Sequence, residues 1–139
     1  MSPNLLIVVI GIVIIGHGIG HVLGLMSALG FQFTPQHSSE SWLLTKLLGK
    51  AVSRVLLFIV FAGATIFLIG GGLGSNDWLV PFDRWAWLTA VGSILSIIGL
   101  VLFPKAFPTI FPNLVGAIAV DIAALLTIYW WHWPAALFL

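Results

Sequence analysis

The stretch LLIVVIGIVIIGHGIGHVLGLMSAL, residues 5–29, decides what kind of protein this is. It exceeds the roughly 20 apolar residues that a helix needs to cross a bilayer. It holds no lysine, arginine, aspartate or glutamate, and its ionisable side chains are His17 and His21. A secretory signal combines a basic leader with a short apolar core. Here the first basic residue is Lys46, so the stretch reads as a retained transmembrane span.

The same pattern recurs along the chain. Further spans are expected at residues 55–72, 85–103 and 113–133, the last closed by Pro134. Between the first two lies a polar segment, 31–40, broken by Pro35. It leads into an amphipathic segment, 41–54, in which Lys46, Lys50 and Arg54 recur every four residues. That segment either continues into the second span or lies in the interface. Residues 72–81 carry turn signals, and Pro104, Pro108 and Pro112 punctuate the last connection. The fold expected is all-α, a four-helix transmembrane bundle forming one domain over residues 1–139.

Composition agrees. Of the 139 residues, 60% are hydrophobic and 6% charged, against about 25% charged in soluble domains. So few charges cannot cover a wet surface, and the partner of most of this chain is the lipid bilayer. A net charge of +1 gives no footprint for nucleic acid. The absence of cysteine removes disulfides, thiolate metal sites and cysteine nucleophiles.

Charge also orients the spans. Four spans place Lys46, Lys50, Arg54 and Lys105 at one end, and only Arg84, beside Asp77 and Asp83, at the other. Positive charge marks the cytoplasmic side, so both termini are expected outside a cell membrane crossed several times. Trp78, Trp85, Trp87, Trp130, Trp131 and Trp133 gather at the outer end, and Trp42 at the inner.

Ionisable groups inside lipid are costly and face the bundle interior. At 1.5 Å per residue, His21 and Asp121 each lie about 12 Å from the inner end of their spans and His17 about 18 Å. Ser93 and Ser96 of the third span overlap that depth, and Arg54 stands at the mouth of the second. The expected polar cluster is therefore His17, His21 and Asp121, joined by Arg54, Ser93 and Ser96. Such a cluster serves either as a site or as a device that fixes helix register.

Gly16, Gly20, Gly24 and Ala28 recur every four residues, the small-residue pattern that lets a second helix approach closely. The two histidines flank that face one turn apart. This spacing suits two imidazoles on one metal ion, and Asp121 completes a two-histidine, one-carboxylate set. Both rings leave the same side of one helix, so they cannot take opposite faces of a haem. A haem or pigment ligated by a single histidine stays open. The glutamate of a zinc-protease HExxH motif is absent, and no serine–histidine–acid order or phosphate loop is evident; no catalytic residue is assigned. His37 reads as a solvated loop residue and His132 as part of the aromatic belt.

His17-Gly18-x-x-His21-x-x-Gly24 in a first span, the exit Leu29-Gly30-Phe31, a basic residue opening span two and a tryptophan pair before span three resemble a group of small four-span bacterial membrane proteins. The resemblance implies four spans and a bacterial or archaeal origin, and it carries no activity. Three functions remain from the residues themselves. The first is a small membrane subunit or binding module whose histidines hold a metal, a cofactor or a partner, acting as a homo-oligomer or within a larger membrane complex. The second is a proton-coupled small-molecule transporter using Asp121. The third is a membrane redox enzyme with a His/His/Asp metal.

Overall fold

A computed structural model describes residues 3–132. Among them, four segments are long and apolar enough to cross a membrane: Leu5–Ala28, Leu44–Gly74, Phe82–Leu102 and Ile110–Tyr129. The helices are α1 (Pro3–Gly20), α2 (Val22–Ala28), α3 (Leu44–Gly74), α4 (Trp85–Leu102) and α5 (Val115–Tyr129). The described residues contain no strand. Trp133 and Pro134, expected to close the fourth span, lie outside the described residues.

Contacts fix the topology. Gly11 meets Gly72, Gly18 meets Leu68, and Gly24 meets Phe61, so α1–α2 and α3 run antiparallel. Leu68 meets Gly92 and Phe61 meets Gly99, so α3 and α4 do the same. α5 returns along α4. The chain is an up-and-down bundle whose neighbours in sequence are neighbours in space.

Lipid is as apolar as leucine, so burying leucine against leucine gains little here. Close packing holds such bundles together instead. A Cβ added at Gly24 would sit 2.6 Å from Phe61 Cδ2, and one at Gly18 would sit 3.0 Å from Leu68 Cβ. The half that holds Arg54 and the α4–α5 link, the inner half in the expected orientation, is filled by Leu57, Phe61, Leu100, Phe103 and Phe107, all buried. The packing face of the first span therefore runs through Gly11, Ile14, Gly18, His21, Gly24 and Ala28. This differs from the expected four-residue stripe. Gly24 and Ala28 belong to it, but a Cβ at Gly16 or Gly20 meets nothing within 4 Å. A helix advances 3.6 residues per turn, so a strict four-residue repeat drifts off the contact face within two turns.

Two long helices depart from straightness, each at a motif noted above. The first span breaks at His21, which separates α1 from α2; the His21 N–H reaches back only three residues, to the Gly18 carbonyl at 3.2 Å. Such tightening inside a span commonly marks a functional position. The amphipathic segment does continue into the second span, but it folds at Gly49, where φ is +82°. Only glycine adopts that backbone readily. A hydrogen bond of 3.0 Å joins Thr45 Oγ1 to Ser53 Oγ; eight residues of straight helix would hold them about 12 Å apart. The fold places Lys50 2.8 Å from Glu40, an exposed pair worth little to stability.

The inner loop is tied down. His37 is fully buried, which corrects its reading as a solvated residue. Its Nδ1 accepts the Phe33 N–H at 3.2 Å, which leaves Nε2–H to donate to the Ala106 carbonyl at 2.8 Å. Ser38 N–H donates to the Lys105 carbonyl, and Trp42 Nε1–H to the Val101 carbonyl. The loop thereby closes the inner end against the α4–α5 link. We expect His37→Ala to lower stability by about 1–3 kcal/mol, because it strands the buried Ala106 carbonyl. Thermal unfolding in detergent reads this; a wild-type melting temperature would refute the clasp.

Candidate functional site

Asp121 is the buried residue of α5 and is wholly inaccessible. Both carboxylate oxygens are engaged. Oδ1 lies 2.8 Å from His17 Nε2, and Oδ2 accepts the hydroxyl of Ser96 on α4. α1 and α5 otherwise scarcely touch, because α5 packs chiefly on α4. The His17–Asp121 bond is thus a polar link across a cleft between the first and last spans. The ion partner found for Asp121 is His17.

His21 sits one turn nearer the Ala28 end of the span. Its ring meets His17 edge-on at 4.8 Å between centroids, stacks on Phe61 at 5.6 Å and meets Phe107 edge-on at 5.8 Å. The side chain is 1% exposed, yet neither ring nitrogen has a hydrogen-bond partner among the described residues. An unpaired buried polar group costs about 1–3 kcal/mol. Two such nitrogens on one ring, set among phenylalanines, are costly for a residue that serves packing alone. One potential ligand atom from each of His17, His21 and Asp121 fall within 4.8 Å of one another.

The expected cluster forms in part. Ser96 joins Asp121. Ser93 is buried three residues earlier on the same helix, and its hydroxyl has no hydrogen-bond partner among the described residues. Arg54 stands apart: its side chain is at the inner surface, where Nε–H donates to the Ala28 carbonyl. It caps the C-terminal end of α2, where a cation complements the exposed carbonyls. His132 is exposed at the outer end, away from the other two intramembrane histidines.

Gly16 and Gly20 line the site. With His17, His21, Asn113 and Gly116 they border a cavity of about 280 Å³ in the inner half of the cleft. A second cavity, about 220 Å³, lies further out between Ile10, Val13, Trp85, Thr89, Val120 and Ala123. Trp85 is buried beside this outer cavity, unlike a surface belt residue. Phe61, Phe107 and Asn113 escaped the sequence reading. They are apolar or neutral residues in ordinary positions, and only the packing of distant segments brings them to His21.

No family model, curated protein or solved structure matches this chain.

Proposed function

We propose that this protein is a small membrane binding module that holds one transition-metal ion inside the bilayer, on His17, His21 and Asp121. The observation that carries the reading is His21, buried with both nitrogens unpaired beside a histidine–carboxylate pair. Two imidazoles and a carboxylate are a common donor set for iron or zinc. Ligands on a metal at about 2.1 Å stand at most about 4.2 Å apart, so the set closes on an ion by rotation of side chains. Ser96 would then orient the carboxylate from behind, as outer hydrogen bonds do in such sites.

The biological setting belongs to the same proposal. Lys46, Lys50, Arg54 and Lys105 face the cytoplasm, both termini face out, and the protein acts as a homo-oligomer or as a subunit of a larger membrane complex. One observation also favours proton-coupled transport: cavities flank the His17–Asp121 link along a single cleft. In that reading, proton exchange at Asp121 would open and close the link.

Elemental analysis of the detergent-purified protein tests the metal. We expect about one ion per chain and its loss in the His17→Ala/His21→Ala double variant; equal metal content in the two proteins would sink the proposal. His21→Leu gives a sharper contrast. It should lose the metal and yet melt higher than the metal-free wild type, because it removes two unpaired buried nitrogens.

A further inference from the structure

Three glycines, Gly16, Gly20 and Gly116, border the inner part of the cleft between α1 and α5. A Cβ at Gly16, Gly20 or Gly116 would meet nothing within 4 Å, and Ala123 borders the outer cavity. Small residues in a membrane span usually meet another helix. Here they meet open space, and that space reaches buried polar groups. His21 borders the inner cavity, and neither of its ring nitrogens has a hydrogen-bond partner among the described residues. Val120 lines both cavities, so they adjoin along one side of α5.

Depth restricts what fits. His17 lies near the centre of the Leu5–Ala28 span, about 17 Å from either end. A charged or zwitterionic headgroup at that depth would lose its hydration without a matching set of counter-charges. A neutral carbonyl or hydroxyl needs only one or two hydrogen bonds, or one coordination position. The outer cavity is bordered mainly by aliphatic side chains and suits hydrocarbon. The cleft opens sideways: Ile12, Val13, Ile19, Val115 and Ile122, exposed on the two helices that flank it, meet lipid.

We infer that the α1–α5 cleft binds a neutral lipid carrying a carbonyl, with its polar end at His17, His21 and Asp121 and its chain along the outer cavity. The inference rests on the site read above as the metal centre, and it names the substrate class of that centre. The ligand enters from the bilayer rather than from water. It reaches a position on the ion, or the free His21 nitrogen, that the protein leaves open. Gly16, Gly20 and Gly116 are small because larger side chains would occupy the ligand's place.

Photolabelling of the purified protein in nanodiscs tests this, with a long-chain alkyl ketone bearing a diazirine and, in parallel, a diazirine phosphatidylglycerol. The ketone should label residues of the cleft on α1 and α5, and excess unlabelled ketone should compete. Gly116→Leu and Ala123→Phe fill the cleft without replacing a metal donor. Each should lose the labelling while keeping the metal and the melting behaviour of the wild type. Gly116→Ala, which the open space accommodates, should keep both. Labelling indifferent to the two filling variants, or phosphatidylglycerol labelling the cleft in the ketone's place, overturns the inference and leaves the metal reading intact. Cleft labelling that is sensitive to filling in a protein without metal upholds the inference and rejects the ion.

Discussion

Asp121→Ala should cost the protein its metal and loosen the tie between its first and last spans. The carboxylate is bonded to His17 on one side and Ser96 on the other, so alanine strands two buried partners at once. Hydrogen bonds between membrane helices average about 0.6 kcal/mol and reach about 1.7, which puts the stability loss at about 1–3 kcal/mol. The effect on metal is larger. Losing even an outer-shell partner costs about 10–100-fold in affinity, and loss of a donor exceeds that. Asp121→Asn separates the two effects. Its amide can still accept from Ser96 and bond His17, so the fold should melt near the wild type, while the missing charge should remove the ion. Metal titration and thermal unfolding of the two variants give the comparison. If Asp121→Asn retains wild-type metal affinity, Asp121 is not a ligand.

Gly92→Leu should be the most damaging change that touches no polar group. A Cβ at Gly92 would stand 2.7 Å from Leu68 Cγ and 2.9 Å from the Leu68 backbone nitrogen. A side chain can turn away, but helix backbone cannot, so α4 must move off α3. Overpacking a well-filled interior costs about 1–3 kcal/mol when side chains absorb it, and displacing a helix costs more. α3 is the helix on which both α1 and α4 pack, and Ser96 lies one turn below Gly92. The displacement should therefore reach the Asp121 site. We expect loss of monodisperse protein on gel filtration together with loss of metal. Gly116→Leu, made where the space is open, should show neither defect. Wild-type elution and melting of Gly92→Leu would show that the α3–α4 contact is not as close as described.

The two histidines show where sequence legibility ends. Their depth and their nearness to Asp121 follow from counting residues along uninterrupted apolar runs, because a helix has a fixed rise. Their different circumstances do not follow. His17 reaches a carboxylate, while His21 stands at a helix break between two phenylalanines, one on α3 and one from the α4–α5 link. Arg54 shows the opposite failure. Its position at the mouth of a span suggested a member of the cluster, but a long side chain reaches several neighbours, and the open carbonyls at the end of α2 were closer. His37 looked solvated because a polar loop is normally exposed; docking of that loop on Lys105 and Ala106 depends on residues about seventy positions away.

The glycines carry the same lesson. From the spacing alone, Gly16, Gly20 and Gly24 formed one stripe against a neighbouring helix. In the bundle, Gly24 meets Phe61, while Gly16 and Gly20 face the cleft. A stripe on a helix surface has a direction but no partner until the other helices are placed.

The sequence by itself determined that this protein lives in lipid, crosses it four times and carries a histidine–carboxylate layer near the middle of the bilayer. Those properties are local, set by apolar length, charge and helical rise. Only the tertiary structure decided which glycines pack, that His21 is buried with no hydrogen-bond partner among the described residues, and that the His17–Asp121 bond links α1 to α5. Those properties depend on contacts among segments distant in the chain, and in lipid the contacts are chosen by shape rather than by hydrophobicity.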